Sequence, residues 1–284
     1  MIVWLDGELI DLEHARISPL DHGFLVGDGV FETLRVYDGV PFAWRRHADR
    51  LDASAGGLGL TVPDRATLRT AADAVLEATG LREARLRITL TSGVAPPGSS
   101  RRGSSGSTVF VVAFPIDAPA PTADVVVAPW TRNERGALAG LKTVSYAANA
   151  RALAYAEERG ASEAIFANTQ DNLCEATGSN VFCVVDSVVV TPPASAGCLL
   201  GVTRALILEL CAELGVPAEE RDVPVSALGG TSEAFLSSTT REVQPIARVD
   251  GEALPSAPGP VAAQLASAFR DLVGRDSDPY VART

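Results

Sequence analysis

Lysine is almost missing from this chain: of 24 basic residues, 23 are arginine and Lys142 stands alone. Other chemistry-bearing residues are also scarce. The four cysteines, Cys174, Cys183, Cys198 and Cys211, form no Cys-x-x-Cys pair and lie among apolar neighbours, so they read as reduced core thiols rather than disulfides or zinc ligands. The three histidines, His14, His22 and His47, lack metal-ligand spacing, and no metal is expected. No uncharged apolar run reaches the ~18 residues of a membrane helix, and the first ten residues carry Asp6 and Glu8 where a secretory leader needs an apolar stretch. A soluble, cytoplasmic protein without membrane contact is expected. The net charge of −11, with pI ≈ 4.8, repels phosphate backbones, so nucleic acid is not an expected partner.

What is present is an ordinary globular composition, 46% hydrophobic and 21% charged over 284 residues. At about 150 residues per domain this length supports two modest domains. Strand and helix patterns alternate. Ile2 to Leu5 and Glu8 to Ile10 flank an Asp6-Gly7 hairpin turn, and Val30 to Tyr37 reads as a strand. Amphipathic spacing predicts helices over Trp44 to Leu58 and from an Asp64 cap to Ala78. Strands follow at Arg85 to Thr91 and Thr108 to Phe114, joined by a Gly-, Ser- and Pro-rich loop that is either disordered surface or the mobile edge of a site. Three prolines within Pro115 to Pro121 favour an extended linker, which divides the chain into residues 1–115, a linker at 116–121, and a larger domain at 122–284 carrying Lys142. Beyond it come strands at Asp124 to Pro129, Ala164 to Asn168 and Asn180 to Val185, and one reaching Ser237. Helices are expected at Ser145 to Arg159, Gly201 to Leu214 and Pro260 to Val273. The expected fold class is α/β (α+β).

A lone lysine among arginines points to chemistry that guanidinium cannot perform. An ammonium can lose its proton and attack a carbonyl, whereas a guanidinium with a pKa above about 12 cannot. The most demanding use of such an amine is a Schiff base with an aldehyde cofactor such as pyridoxal phosphate. That use also calls for an acid at the pyridine nitrogen, donors for the phosphate and a donor for the ring phenolate. Glu175 lies in a loop leading into the apolar strand from Asn180, where a carboxylate can be buried. Gly201, Val202 and Thr203 open a helix whose free amides favour an anion. Ser237 to Thr240 end a strand with hydroxyls and amides, and Arg50 can oppose a phosphate dianion. Tyr146, four residues past Lys142, can donate to the phenolate if the chain turns there into the helix.

Six segments in order carry a wider likeness: Gly27-Asp28-Gly29-Val30-Phe31-Glu32, His47-Ala48-Asp49-Arg50-Leu51, Leu141-Lys142-Thr143, Glu175 to Phe182, Gly201-Val202-Thr203-Arg204, and Ser238-Thr239-Thr240-Arg241-Glu242-Val243. Over essentially its whole length the chain resembles the class IV, fold-type IV pyridoxal-phosphate enzymes: D-amino-acid aminotransferases, branched-chain aminotransferases and aminodeoxychorismate lyases. The resemblance implies a two-domain homodimer with the cofactor at the domain interface. It implies Lys142 as the Schiff-base lysine, Glu175 at the pyridine nitrogen and Arg50 at the phosphate. Val202 and Thr203 then supply helix-start amides, Ser238 and Thr239 a second phosphate loop, and Tyr146 a contact near the ring oxygen.

Substrate residues depart from one pattern. The familiar D-amino-acid aminotransferases have a tyrosine where this chain has Phe31, and an Arg-x-His pair where it reads Ser92-Gly93-Val94. Strand alternation puts Phe31, Thr33 and Arg35 on one side and Glu32 and Leu34 on the other, so Arg35 can receive a substrate carboxylate. Substrate contacts are expected from Phe31, Thr33, Arg35 and Thr240. Arg101 and Arg102 on the long loop are candidate mobile anion contacts, or solvated charges. The expected activity is transfer of an amino group between an amino acid, of D or branched-chain type, and a 2-keto acid. The alternatives are an aminodeoxychorismate lyase releasing pyruvate and p-aminobenzoate, and a noncatalytic dimeric binding module.

Overall fold

Turn chemistry starts the chain as expected: Asp6 and Gly7 both take positive φ, closing an antiparallel hairpin between β1 (Ile2–Leu5) and β2 (Glu8–Asp11). The structure is a computed structural model that describes residues 1–280; residues 281–284, where the expected second domain ends, lie outside the described residues. Two units divide the chain. One comprises Met1–Asp117, Leu141–Tyr146 and the segment from Ser277, and the other Ala118–Gly140 and Ala147–Asp276.

In the first unit follow α1 (His22–Val26), β3 (Gly29–Tyr37), β4 (Val40–Pro41), α2 (Trp44–Leu58), α3 (Arg65–Thr79), β5 (Ala84–Thr91) and β6 (Thr108–Pro115). The six strands form an antiparallel sheet in the order β2-β1-β6-β5-β3-β4. Period-two alternation sorts its two faces. Val30, Leu34 and Val36 of β3 and Leu86, Ile88 and Leu90 of β5 join a core with Leu51 and Ala55 of α2 and Leu68, Ala72 and Val75 of α3. Phe31, Thr33, Arg35 and, on β5, Arg87 take the opposite parity, away from the helices. Asp64 caps α3 through a bond from the Thr67 N–H at 3.0 Å, and Gly80 ends it in the left-handed conformation.

The second unit holds β7 (Ala123–Val127), α4 (Ala147–Glu157), β8 (Glu163–Ala167), β9 (Leu173–Ala176), β10 (Asn180–Val185), β11 (Val188–Thr191), α5 (Val202–Leu214), β12 (Ala218–Glu220), β13 (Glu233–Ser238), β14 (Glu242–Val249), β15 (Glu252–Ala253) and α6 (Pro260–Arg275). Its mixed sheet runs β12-β11-β10-β13-β14-β7-β8-β9, with β15 added to β14. Alternate residues bury on its two faces. Val125 and Ile165 enter one core, while Val126, Ala164 and Phe166 enter another with Ala152 and Ala156 of α4.

Several sequence expectations need correction. Lys142 does not group with the larger unit: residues 141–146 return to the first one, because their main chain bonds to β3. The helix expected over Ser145 to Arg159 is shorter, Ala147–Glu157, and Tyr146 precedes it. Glu175 lies within β9 rather than in a loop, since the run Leu-Cys-Glu-Ala is too short to show a period. The long loop is neither disordered nor a free edge. His22 N–H bonds Gly93 O at 2.9 Å, Ser105 N–H bonds Val94 O at 3.0 Å, and the Arg101 guanidinium forms a two-pronged pair with Asp28 while reaching Leu58 O at 2.7 Å.

No helix among the described residues is long and apolar enough to cross a membrane. All four cysteines are free and buried, and burial pushes the Cys183, Cys198 and Cys211 thiols up to about 11, which leaves them inert.

The start of α6 is capped from another element. Its N-cap is Gly259, which has no side chain to offer, and Glu233 of β13 instead accepts the N–H groups of Val261 at 3.2 Å and Ala262 at 3.0 Å. Glu233→Ala is expected to lower unfolding free energy by about 1 to 2 kcal/mol in a denaturant titration. An unchanged midpoint contradicts this cap.

Candidate active site

Two main-chain bonds seat Lys142. Phe31 N–H donates to Lys142 O at 3.0 Å and Val144 N–H to Gly29 O at 2.9 Å, an antiparallel bridge between Val30 and Thr143. Ser54 of α2 accepts the Lys142 N–H at 3.1 Å, so strand and helix both fix the backbone that presents the amine. Glycine makes this approach possible: a Cβ on Gly29 would meet Val144 Cγ2 at 3.2 Å, and one on Gly27, at φ +69°, would meet Ser145 Oγ at 2.6 Å.

Around the amine lies the strand face turned away from the helices. Lys142 Nζ is 4.4 Å from the centroid of the Phe31 ring, and Tyr146 meets that ring edge-on at 5.3 Å. Arg87 shares this face. It stands opposite Thr33 in register, its guanidinium carbon 3.8 Å from the Phe31 centroid and its Nε donating to Thr89 Oγ1 at 3.1 Å. Among the described residues no carboxylate pairs with it, and burial pushes its guanidinium below the usual range. A largely buried cation without an anion is a natural receptor for one. Sequence reading passes over Arg87, because alternation alone shows that Arg85, Arg87 and Thr89 share a side but not which residues of β3 they meet.

The helix-facing side of β3 carries a buried ionic cluster. Glu32, 1% exposed, accepts Arg50 Nε at 2.7 Å and Nη2 at 2.8 Å, and His47 Nδ1–H at 2.7 Å. Burial alone would raise the Glu32 carboxyl, but Arg50 and His47 outweigh it and hold it well below the usual carboxylate range. His47 moves down as well, chiefly because burial disfavours its charged form. The Glu32 bonds occupy one edge of the Arg50 guanidinium and leave Nη1 for an anion. Arg35 is less available than expected: it pairs with Glu83 and stacks on Tyr37 at 5.0 Å.

The second unit arranges the acid and the hydroxyls. Glu175 pairs across β8 with Phe166. Arg132 Nη2 approaches its Oε1 at 3.2 Å, and Leu199 N–H donates to its Oε2 at 2.9 Å. Arg132 is a second residue that sequence reading misses. It also bonds Asn149 Oδ1 at 3.3 Å and stacks on Phe166 at 4.5 Å. Val202 and Thr203 open the thirteen-residue α5, whose N-cap Gly201 supplies no side-chain acceptor and whose first internal bond begins at Ala205 N. Gly201 is tightly seated, since a Cβ there would meet Asn180 Oδ1 at 2.2 Å. Ser238 ends β13 and residues 239–241 turn into β14, with Ser238 Oγ accepting Arg241 N–H at 3.2 Å. Ser237, in register with Asn180, is 1% exposed, and its Oγ has no partner among the described residues.

In the first unit the backbone beside β3 presents an amine, and in the second a carboxylate is held by an arginine and a helix start has no side-chain cap. The comparisons identify the family. The model of the amino-transferase class IV family matches residues 29–249, and the chain belongs to that family. It is 32% identical over 280 residues, 96% of each chain, to a Methanocaldococcus jannaschii protein provisionally named a branched-chain-amino-acid aminotransferase. It is 30% identical over 277 residues, 96% of this chain and 97% of the other, to the D-alanine aminotransferase of Bacillus licheniformis. The solved branched-chain aminotransferase of the thermophilic archaeon Thermoproteus uzoniensis, with norvaline, superimposes with a TM-score of 0.90 at 30% identity, covering 96% of this chain and 94% of that one.

The buried cluster sets a pH dependence. Glu32 and His47 both have lowered pKa values when folded, so their stabilisation is complete above the unfolded values of 4.5 and 6.5 and is lost as pH falls. The melting temperature is therefore expected to decline from pH 7 downward, with His47 acting first, just below 6.5. His47→Gln should flatten that first part of the curve while leaving the decline below 4.5; a variant curve parallel to the wild type counts against the assignment.

Proposed function

We propose that this chain is a pyridoxal-phosphate-dependent amino-acid transaminase that exchanges an amino group between an amino acid and a 2-keto acid. The observation that carries the reading is the placement of the chain's only lysine, fixed to β3 beside Phe31 and on the face that holds the unpaired Arg87. The residues present fit this cofactor. Its phosphate suits the uncapped start of α5 at Val202 and Thr203, the Ser238–Thr239 turn and the remaining edge of Arg50. Its ring nitrogen suits Glu175, and its ring oxygen the Tyr146 hydroxyl.

When bound, pyridoxal phosphate supplies an aldehyde that captures amines and a ring that withdraws electrons from the substrate α-carbon. The protein supplies the rest. Lys142 would hold the group through its Nζ and, as a free neutral amine, would move a proton at the substrate α-carbon. Glu175 holds the proton on the ring nitrogen, and Arg132 and Leu199 N–H hold Glu175 in place. Arg87 receives the substrate carboxylate against the flat apolar wall of Phe31, with Thr33 beside it, and Thr240 lies on the turn that adds further substrate contacts. Arg35, tied to Glu83, takes a supporting place.

We further infer a homodimer. Leu20, Phe24, Leu25 and Val26 in and beside α1 are exposed, Phe24 by 76%, an apolar surface that a second copy would cover. Four reduced thiols accord with the cytoplasm.

Purified protein is expected to be yellow, and borohydride should fix the label to Lys142 in a digested peptide. Keto-acid-dependent transamination should appear in a panel of D- and L-amino acids that includes alanine and the branched-chain set. Turnover of aminodeoxychorismate to pyruvate without any transamination would overturn the proposal in favour of the lyase. Losing a charge-assisted bond worth about 2 kcal/mol, Arg87→Leu is expected to raise KM for the amino acid about 30-fold while leaving cofactor absorbance intact. An unchanged KM moves the carboxylate contact elsewhere.

A further inference from the structure

Glu163, the first residue of β8, is 2% exposed and belongs to no group so far given a role. Its carboxylate gathers two turns of the sheet. Thr177 donates to Oε1 through its N–H at 3.1 Å and through its hydroxyl, and Ser179 Oγ donates to Oε2 at 3.4 Å, which together fix the turn between β9 and β10 that follows Glu175. From the other side Arg241 Nη2 approaches Oε2 at 3.4 Å. Arg241 is the last residue of the β13–β14 turn. Its N–H bonds Ser238 Oγ, its guanidinium bonds Gln244 and Ser162 O, and it directly follows Thr240. Burial raises the Glu163 carboxyl, and Arg241 is the charged group that opposes this.

We propose that Glu163 is a positioning residue for the phosphate end of the cofactor: through Arg241 it sets the Ser238–Thr240 turn, and through Thr177 and Ser179 it ties that turn to the segment carrying Glu175. The inference rests on the cofactor reading above and goes beyond it, because Glu163 itself touches neither cofactor nor substrate. It makes a selective claim. A carboxylate that only stabilises the fold affects every ligand of the site alike, whereas one that shapes a phosphate turn affects ligands in proportion to their phosphate.

The test is equilibrium binding of pyridoxal phosphate and of phosphate-free pyridoxal to the cofactor-stripped full chain. For Glu163→Gln, whose amide turns a donor toward Arg241, the dissociation constant for pyridoxal phosphate should rise about tenfold, while that for pyridoxal stays within about twofold. Arg241→Met should show the same selectivity, and the double variant should be no weaker than the weaker single one, as expected of two groups acting through one contact. Equal losses for the two ligands, no loss, or additive losses overturn the proposal. Should the amide prevent folding, Glu163→Asp, which withdraws the charge by one methylene, is held to the same outcomes. A wild-type chain that binds neither ligand overturns the cofactor reading itself, whereas wild-type binding without selectivity in the variants overturns only the role of Glu163.

Discussion

The two main-chain hydrogen bonds between residues 142–144 and β3 are the constraint on which the arrangement depends. They take a segment flanked on both sides by the second unit and give it to the first. A flexible four-carbon side chain carries the amine, so precision has to come from its backbone, and here that backbone is clamped by a strand on one side and Ser54 of α2 on the other. The close approach explains the Gly27-Asp28-Gly29 motif physically. The two glycines leave room for Ser145 and Val144, and Asp28 between them is held by Arg101, whose guanidinium also reaches the end of α2. The long loop thus braces the clamp.

Buried carboxylates do most of the remaining organisation, and the balance of charge around each decides its character. Glu32 receives a two-pronged guanidinium and an imidazole N–H at short range, and its carboxyl stays far below its ordinary value despite complete burial. Glu163 is almost as buried, yet its cation is more distant and most of its bonds come from hydroxyls and an N–H, so desolvation wins and the carboxyl moves up. Two residues of one type thus differ in direction because one arginine is aligned and near while the other is not. Glu32 joins a strand to the helix that bears Arg50, and Glu163 joins two turns.

What was legible in the sequence follows from length and period. The hairpin at Asp6-Gly7, the strand through Tyr37, the helix over Trp44–Leu58 and the helix from Asp64 each carry enough residues, or a turn specific enough, for the pattern to show. The four-residue β9 and the five-residue α1 do not, and so Glu175 reads as a loop residue until its pairing with β8 is seen. Long-range pairing was equally invisible. Nothing local says that residues after Gly140 return to β3, that Arg87 lies across from Thr33, or that Arg132 meets Glu175 from a different part of the chain. A residue type that stands alone, as Lys142 does, shows in the sequence directly. Residues that matter by register do not.

The scarcity of lysine also bears on the cofactor proposed above. An aldehyde cofactor reacts with any accessible neutral primary amine, and a surface rich in lysine offers it many. This surface offers guanidinium instead, which stays protonated and does not compete. Guanidinium also does structural work that ammonium does poorly: the two-pronged pairs of Arg50 with Glu32 and Arg101 with Asp28, and the stacking of Arg87 on Phe31 and Arg132 on Phe166, all depend on its flat fork. Replacing arginine by lysine at these four positions would therefore remove that alignment, because an ammonium has no flat fork. A composition that looks like bias thus serves the geometry of these pairs.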